Sequence, residues 1–406
     1  MLALADSQEQ AIRHRTGPLL LLGEAGTGKS EVLARRLAAL AADGDPERIL
    51  VLSSSRATAQ RLRERAEALL DGRPNRFVVG FVPQWGTVND NRSVNVQGQA
   101  GARTGDSEQR STNYVLYAEN QHYLTPEWIG VLGLQATRAE RKLNDYFLQD
   151  GNQSVDQRYS RVSPKIGAIY KWSPQVDVFA NYSGSYEPPT FGELTGGPNV
   201  TPLDAQRGNT IEFGTRGFLP DLQWDFAYYY TDLTNELLSL TTPTGQPLGT
   251  VNAPDTRHQG VEFGVAWMIA NRFEWRASYL WNDFRFKNNA TFGNNRLPGI
   301  PPQFLRTQLL WWPGGGWYAG PTLEWSPQDY PVDMANTLSV DGYAIWGLKA
   351  GRQLAKGVSF FVEGRNLSNV KYAGTSGVIA TANGRDSAQF WPGDGRSVYA
   401  GIEWRM

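Results

Sequence analysis

The run Gly23-Glu24-Ala25-Gly26-Thr27-Gly28-Lys29-Ser30 is a complete G-x-x-x-x-G-K-[ST] motif. Its chemistry is phosphate binding. The glycines let the backbone curl so that successive N–H groups face one anion, and the helix that follows turns its positive end to the same point. Lys29 would then reach the β and γ phosphates of a nucleotide, and the Ser30 hydroxyl would hold Mg²⁺. Gly23, Gly26, Thr27, Gly28, Lys29 and Ser30 are therefore the expected nucleotide-binding set, with Mg-ATP as the expected ligand. Stepping outward, the elements that must position the loop are present in order. Gly17 to Leu22 reads as a short buried strand, and Ser30 to about Ala42 as a helix. No other metal site is expected, because cysteine is absent and the three histidines, His14, His122 and His258, are scattered.

Two more stretches extend this set. Gln8 lies upstream in Asp6-Ser7-Gln8-Glu9-Gln10-Ala11-Ile12. Arg48-Ile49-Leu50-Val51-Leu52-Ser53-Ser54-Ser55-Arg56 reads as a second strand ending in hydroxyls, followed by a helix from about Thr58 to Leu70. Taken singly, Gln8 could be a solvated helix residue and the serines a helix cap. In this order the residues resemble the opening of a UvrD/Rep-type superfamily 1 DNA helicase. By that resemblance Gln8 would contact the adenine, and Ser53, Ser55 and Arg56 would belong to the motif that touches single-stranded DNA. The resemblance stops near Asp71, and no Walker B acidic pair, arginine finger or second motor domain follows. ATP hydrolysis is not expected, and two strands are too few to form a parallel sheet buried on both faces.

None of the 14 Trp, 17 Tyr and 17 Phe lies before Phe77, so the composition changes just where the helicase resemblance ends. The expected organisation is a small α/β P-loop fragment over residues 1–75 and a mainly β region over residues 76–406, joined near Leu70 to Arg76. A net charge of -1 gives no argument for nucleic acid as a partner of the whole chain. No apolar run approaches the roughly 18 residues of a spanning helix. The start MLALADSQEQ does not read as a signal peptide, so export of a chain with this start is not expected.

From Phe77 onward the hydrophobic period is two. Trp224, Phe226, Tyr228 and Tyr230 alternate with Gln223, Asp225, Ala227, Tyr229 and Thr231. Trp275, Ala277, Tyr279 and Trp281 alternate with Glu274, Arg276, Ser278 and Asn282, and Val398, Ala400, Ile402 and Trp404 with Tyr399, Gly401, Glu403 and Arg405. A charged face opposite an aromatic face fits a transmembrane β-barrel, polar inside and apolar towards lipid. About fourteen such segments are legible, many near the ~9 to 11 residues that cross a bilayer. Short turns such as Thr125-Pro126, Ser173-Pro174-Gln175 and Pro220-Asp221 alternate with longer stretches at Asn144 to Arg161, Glu187 to Arg207, Arg285 to Pro302 and Ser368 to Arg396. A soluble β sandwich is the plainer alternative, and it rarely exposes so many aromatics at alternate positions.

Six stretches then resemble, in family order, the TonB-dependent outer-membrane receptors: Thr112 to Asn120, Tyr186 to Leu194, Asn209 to Gly217, Gln259 to Gly264, Val362 to Asn369 and the closing strand Val398 to Trp404. The resemblance implies a non-enzymatic transporter in outer-membrane lipid that captures a ferric siderophore or other scarce nutrient and imports it with energy from the TonB system. It also implies a plug domain and a TonB box ahead of the barrel, neither recognised here, and about 22 strands. The expectation is an incomplete barrel, about 14 of 22 strands, in a chimeric chain that ends on Met406 where the family usually has an aromatic. The runners-up are a helicase or ATPase fragment and a surface-binding β protein without transport. The transport ligand is not named by any residue, and the prolines in Glu187 to Leu194 are read as shaping a loop exit.

Overall fold

The computed structural model describes residues 6–14, 29–43, 75–197, 199–354, 357–386 and 389–404. The chain divides into two compact units, Met1–Ile169 and Tyr170–Met406, a boundary that falls within one strand.

The first described residues form two helices, α1 (Asp6–Arg13) and α2 (Lys29–Asp43). They pack through small apolar side chains, with Ala11 of α1 and Val32, Ala34 and Ala38 of α2 buried. The last carbonyls of a helix have no intrahelical partner and carry negative partial charge. Arg36 answers both needs, since its Nη1 donates to the carbonyl of Ala11 at 2.8 Å and to that of His14. Gln8 lies on α1. Lys29 and Ser30 open α2, as the motif requires of a loop that leads into a helix. Gly23, Gly26, Thr27, Gly28, Ser53, Ser55 and Arg56, both expected strands and the expected helix from Thr58 lie outside the described residues. Among the described residues this part contains helix only, so the α/β fragment expected there is not seen as such.

The rest is β. In chain order the strands are β1 (Asn75–Val96), β2 (Gln99–Tyr123), β3 (Trp128–Asp145), β4 (Val155–Ser173), β5 (Val176–Glu187), β6 (Gln206–Phe218), β7 (Leu222–Thr241), β8 (Pro247–Ile269) and β9 (Phe273–Phe286). There follow β10 (Gln303–Gly314), β11 (Trp317–Ser326), β12 (Tyr330–Pro331), β13 (Ser339–Val340), β14 (Tyr343–Gln353), β15 (Val358–Arg365), β16 (Ala373–Ser376), β17 (Phe390–Pro392) and β18 (Ser397–Trp404). A 14-stranded antiparallel sheet takes β1 to β11, then β14, β15 and β18, in sequence order, while β12–β13 and β16–β17 form two small separate pairs. The number of long strands is the one the alternation predicts. Their lengths are not, because β1 has 22 residues and β2 has 25. Pairing of β2 with β3 begins at Ser107, so residues 91–106 pair only between β1 and β2, as a ribbon closed by Gln97 and Gly98 at φ 53° and 87°. Polar residues on both faces hide that ribbon from a periodicity argument.

Register fixes the faces, since side chains at alternate positions point to opposite sides. In the second unit Tyr228 pairs with Val261 and Phe226 with Phe263, and these in turn pair with Trp281 and Tyr279. This apolar face is the one the sequence predicts. In the first unit Phe77, Phe81, Leu116, Leu132 and Leu134 share the corresponding face and are all exposed. An apolar face left open across successive strands demands an apolar solvent. The predicted short turns at Thr125-Pro126, Pro174-Gln175 and Pro220-Asp221 each join adjacent strands, and in the three-residue β8–β9 connection Ala270 and Asn271 take positive φ, 51° and 54°, as the central residues of a type I′ turn do. The Glu187 to Arg207 connection holds a short helix, α3 (Phe191–Leu194), which starts in a capping box between Thr190 and Glu193. The expected long connection at Asn144 to Arg161 is shorter than predicted, because β3 runs to Asp145 and β4 starts at Val155.

Candidate functional site

The polar face of β9, β10, β11, β14 and β15 carries a lattice of opposite charges. Glu274 and Arg276 pair along β9. Arg306 of β10 lies opposite Glu324 of β11, and its Nε and Nη2 both reach Oε2 at 2.7 Å. Glu363 of β15 lies opposite Lys349 of β14, 3.9 Å away, with Arg365 at 3.4 Å on its own strand. Residues i and i+2 share a face, so a Glu-x-Arg spacing on a strand builds such a pair locally. Arg276, Arg306, Glu324, Lys349, Glu363 and Arg365 line a cavity of about 480 Å³.

A second cavity of about 320 Å³ continues from it towards the long connections, sharing Arg306, Glu324 and Arg365 and adding Tyr343, Tyr372 and Asp394. The Tyr343 hydroxyl donates to Glu324 Oε1 at 2.9 Å, and the Tyr343 and Tyr372 rings lie 4.3 Å apart. Burial, with Glu324 and Asp394 nearby, pushes the Tyr372 hydroxyl up, so it stays a protonated donor. The Ser397 hydroxyl on the same wall is buried and has no partner among the described residues. Guanidinium forks and phenol hydroxyls are the donors that hold polyoxygenated anions.

The rim of this cavity is packed. Between β11 and β14 the buried carboxylate of Asp333 accepts from the backbone N–H groups of Thr337 (2.8 Å), Leu338 (3.1 Å) and Ala382 (3.0 Å) and from the Thr337 hydroxyl (2.7 Å). Asn366, also buried, donates to the carbonyls of Val370 and Asp394 and accepts from Val370 N–H, all at 2.9 Å. Two apolar clusters lie beneath. One gathers Leu240, Ala253, Phe286, Leu297 and Met334, the other Tyr330, Val332 and Val340. The expected loop region at Ser368 to Arg396 is thus largely ordered by its own β16–β17 pair and by these contacts.

The histidines do not converge. His258 stacks on Phe284 with ring centroids 4.0 Å apart, and its Nε2 lies 3.2 Å from Glu236, an arrangement explained by packing. No group of three His, Asp or Glu suited to a metal ion occurs among the described residues. Of the nucleotide set, the structure describes only α1 with Gln8 and the start of α2 with Lys29 and Ser30. The cavity residues went unread in the sequence because they come from five strands. The signal that could have found them is the pair of Glu-x-Arg spacings at Glu274 and Glu363.

Comparison with known proteins matches residues 47–367 to the family model "TonB dependent receptor-like, beta-barrel". Among curated relatives, the Metal-pseudopaline receptor CntO of Pseudomonas aeruginosa is 24% identical over 192 residues, covering 46% of this chain and 26% of that protein. A Probable DNA helicase II homolog of Rickettsia felis is 37% identical over 70 residues, covering 17% of this chain and 11% of that protein. Among solved structures, the siderophore receptor PiuA of Acinetobacter baumannii superposes with a TM-score of 0.61 at 20% identity, covering 73% of this chain and 44% of that one. The chain therefore spans less than half the length of each of these three.

Proposed function

The chain belongs to the TonB dependent receptor-like β-barrel family, and from that premise we propose that it supplies barrel wall to an outer-membrane receptor that takes up a ferric siderophore or a similar scarce metal chelate. Uptake would draw on the TonB system, as the family resemblance implies. The observation that carries this reading is the pair of joined cavities at the long-connection end, where Arg306, Arg365 and Tyr372 present donors to an anionic, oxygen-rich guest. By name, CntO is a metal-pseudopaline receptor and PiuA a siderophore receptor. The function is transport and binding, without a chemical step.

The test is titration of the full chain, folded in outer-membrane-type lipid, with ferric catecholate and ferric citrate complexes. Saturable binding that weakens at least tenfold in Arg306→Gln supports the reading. Equal binding by the variant removes this cavity from the proposal, and binding that persists in cells without any TonB-dependent uptake favours a surface-binding protein.

A second reading concerns residues 1–75 and rests on the short helicase match. There Gly23 to Ser30 would hold the phosphates of Mg-ATP, Gln8 the adenine, and Ser53, Ser55 and Arg56 would be the remnant of a single-stranded DNA contact. This reading expects weak phosphate binding and no hydrolysis. Mg²⁺-dependent ATP turnover that Lys29→Ala abolishes would restore an active ATPase. Amplification of source DNA across the codons for Ala59 to Trp85 tests whether the two parts are truly one gene.

A further inference from the structure

Four cationic side chains line the first cavity, Arg276, Arg306, Lys349 and Arg365, and each already faces a carboxylate. Glu274 takes Arg276, Glu324 takes Arg306, and Glu363 is shared between Lys349 and Arg365. The second cavity adds Asp394, which accepts from the Tyr399 hydroxyl at 3.4 Å. Four positive charges therefore meet four negative ones. A guest anion gains a guanidinium here only where a carboxylate gives one up, because otherwise it settles beside an undiminished negative charge.

The four carboxylates differ in how they are held. Glu274 lines neither cavity, and its Oε2 takes the indole N–H of Trp312 at 3.1 Å. Glu363 lines the first cavity only and answers two cations at once, while Asp394 lines the second only. Glu324 belongs to both. Register sets it directly opposite Arg306 of β10 on one side and Ile345 of β14 on the other. Its Oε2 takes Nε and Nη2 of Arg306 at 2.7 Å each, and its Oε1 takes the Tyr343 hydroxyl at 2.9 Å. A carboxylate between a guanidinium fork and a phenol occupies the donor set that an oxygen-rich anion would use. The Glu324 side chain is 13% exposed and that of Arg306 62%, so the fork opens to the cavity with its partner behind it. An ion pair with so open a member is weak and exchanges partners at little cost.

We propose that, within the uptake role inferred above, Glu324 is a specificity-determining residue that acts as an internal substitute for the guest. Its carboxylate fills the Arg306 and Tyr343 donors when no guest is bound and yields them to an oxygen anion that binds them better. The displaced carboxylate stays on the same wall and repels each further negative charge the guest carries. The site therefore selects chelates that offer local oxygen anions but little net charge, and discriminates against polyanions.

The experiment is titration of the full chain, in outer-membrane-type lipid, with anionic ferric citrate and with ferric tris-acetohydroxamate, which carries no net charge. Heat-modifiable gel mobility confirms folding of every variant. Glu324→Gln should tighten ferric citrate about tenfold, the effect of removing one charge a few ångströms away in a wet cavity, and leave the neutral complex nearly where it was. Tyr343→Phe, which releases one carboxylate oxygen and changes no charge, should tighten ferric citrate by a smaller factor. Unchanged or weaker citrate binding in Glu324→Gln overturns the proposal, and so does an equal gain for both complexes, which would mark a widened cavity. Weaker citrate binding in Tyr343→Phe also overturns it, since the phenol would then be a direct donor to the guest. Binding of neither complex by wild type or Glu324→Gln overturns the uptake reading as well. Citrate binding that Arg306→Gln weakens and Glu324→Gln does not improve leaves that reading standing and removes the role of Glu324 alone.

Discussion

The ribbon of residues 91–106 and the connections at 287–302, 327–342 and 366–396 all link neighbouring strands, yet they are held by different forces. The ribbon has ladder bonds, a turn at Gln97 and Gly98, and exposed side chains on both faces, with surface pairs such as Arg92 to Asp90 at 2.7 Å. The other connections enclose two apolar clusters and two fully engaged buried polar side chains, Asp333 and Asn366. A two-stranded ribbon without a hydrophobic face is marginal in water. A connection with its own core can keep a fixed shape beside a cavity. The difference teaches that connection length is a poor guide to order, and that the count of buried donors and acceptors is a better one.

The comparison breaks most directly at Asp333. Asp333→Ala strands the N–H groups of Thr337, Leu338 and Ala382 and the Thr337 hydroxyl, and should cost the rim about 5 kcal/mol, as unmet buried donors do. Limited proteolysis should then cut within 327–342, and a protected rim in the variant would show that the carboxylate is not what orders it. Phe286→Ala opens the larger apolar cluster and should cost about 4 kcal/mol, read as a lowered unfolding temperature in detergent. Gly98→Ala forces a side chain onto a residue at φ 87° and should cost about 1 to 2 kcal/mol. Hydrogen exchange should quicken in 91–106 alone, and loss of protection in β3 would mean that the ribbon is coupled to the sheet after all.

The smallest effect concerns pH. The hydrogen bond and charge of Asp232 raise the Lys287 ammonium above the ordinary lysine value. A raised folded-state pKa contributes stability that is fully present below the unfolded lysine value of about 10.5 and is lost as pH rises through the folded value. The pair is partly exposed, so the contribution is slight. Lys287→Met should be nearly silent at pH 7, and any difference from wild type should fade above pH 10.5 rather than below it.

Strand number, the two faces of strands such as β7 and β9 and the short turns were legible in the sequence because period-two alternation and turn-forming prolines are local properties. Trp224 to Tyr230 and Trp275 to Trp281 lie on the predicted faces in the observed register. The ribbon was not legible, since Asn91 to Asp106 has no face to alternate. Asp333 was not legible either. In Pro331-Val332-Asp333-Met334-Ala335-Asn336 an aspartate reads as a solvated turn, and only Ala382, 49 residues on, completes its set of donors. The cavity residues stayed hidden for the same reason, as Arg276 and Arg365 meet only through three intervening strands. Helix α2 was read from its motif within one residue at each end, whereas the Arg36 contacts that tie it to α1 needed the fold.

The plain sequence order of the 14 strands has a kinetic consequence. Each long strand pairs with the next one in the chain, so most closures span only a few residues and carry little loop entropy. Assembly can therefore proceed as a zipper, hairpin by hairpin, with no strand waiting for a distant partner. Four closures depart from that rule, β5 onto β6, β9 onto β10, β11 onto β14 and β15 onto β18, because each spans a long connection. The longest of them, β15 onto β18, should set the pace of folding, which places the slow end of the process at a connection that lines the second cavity.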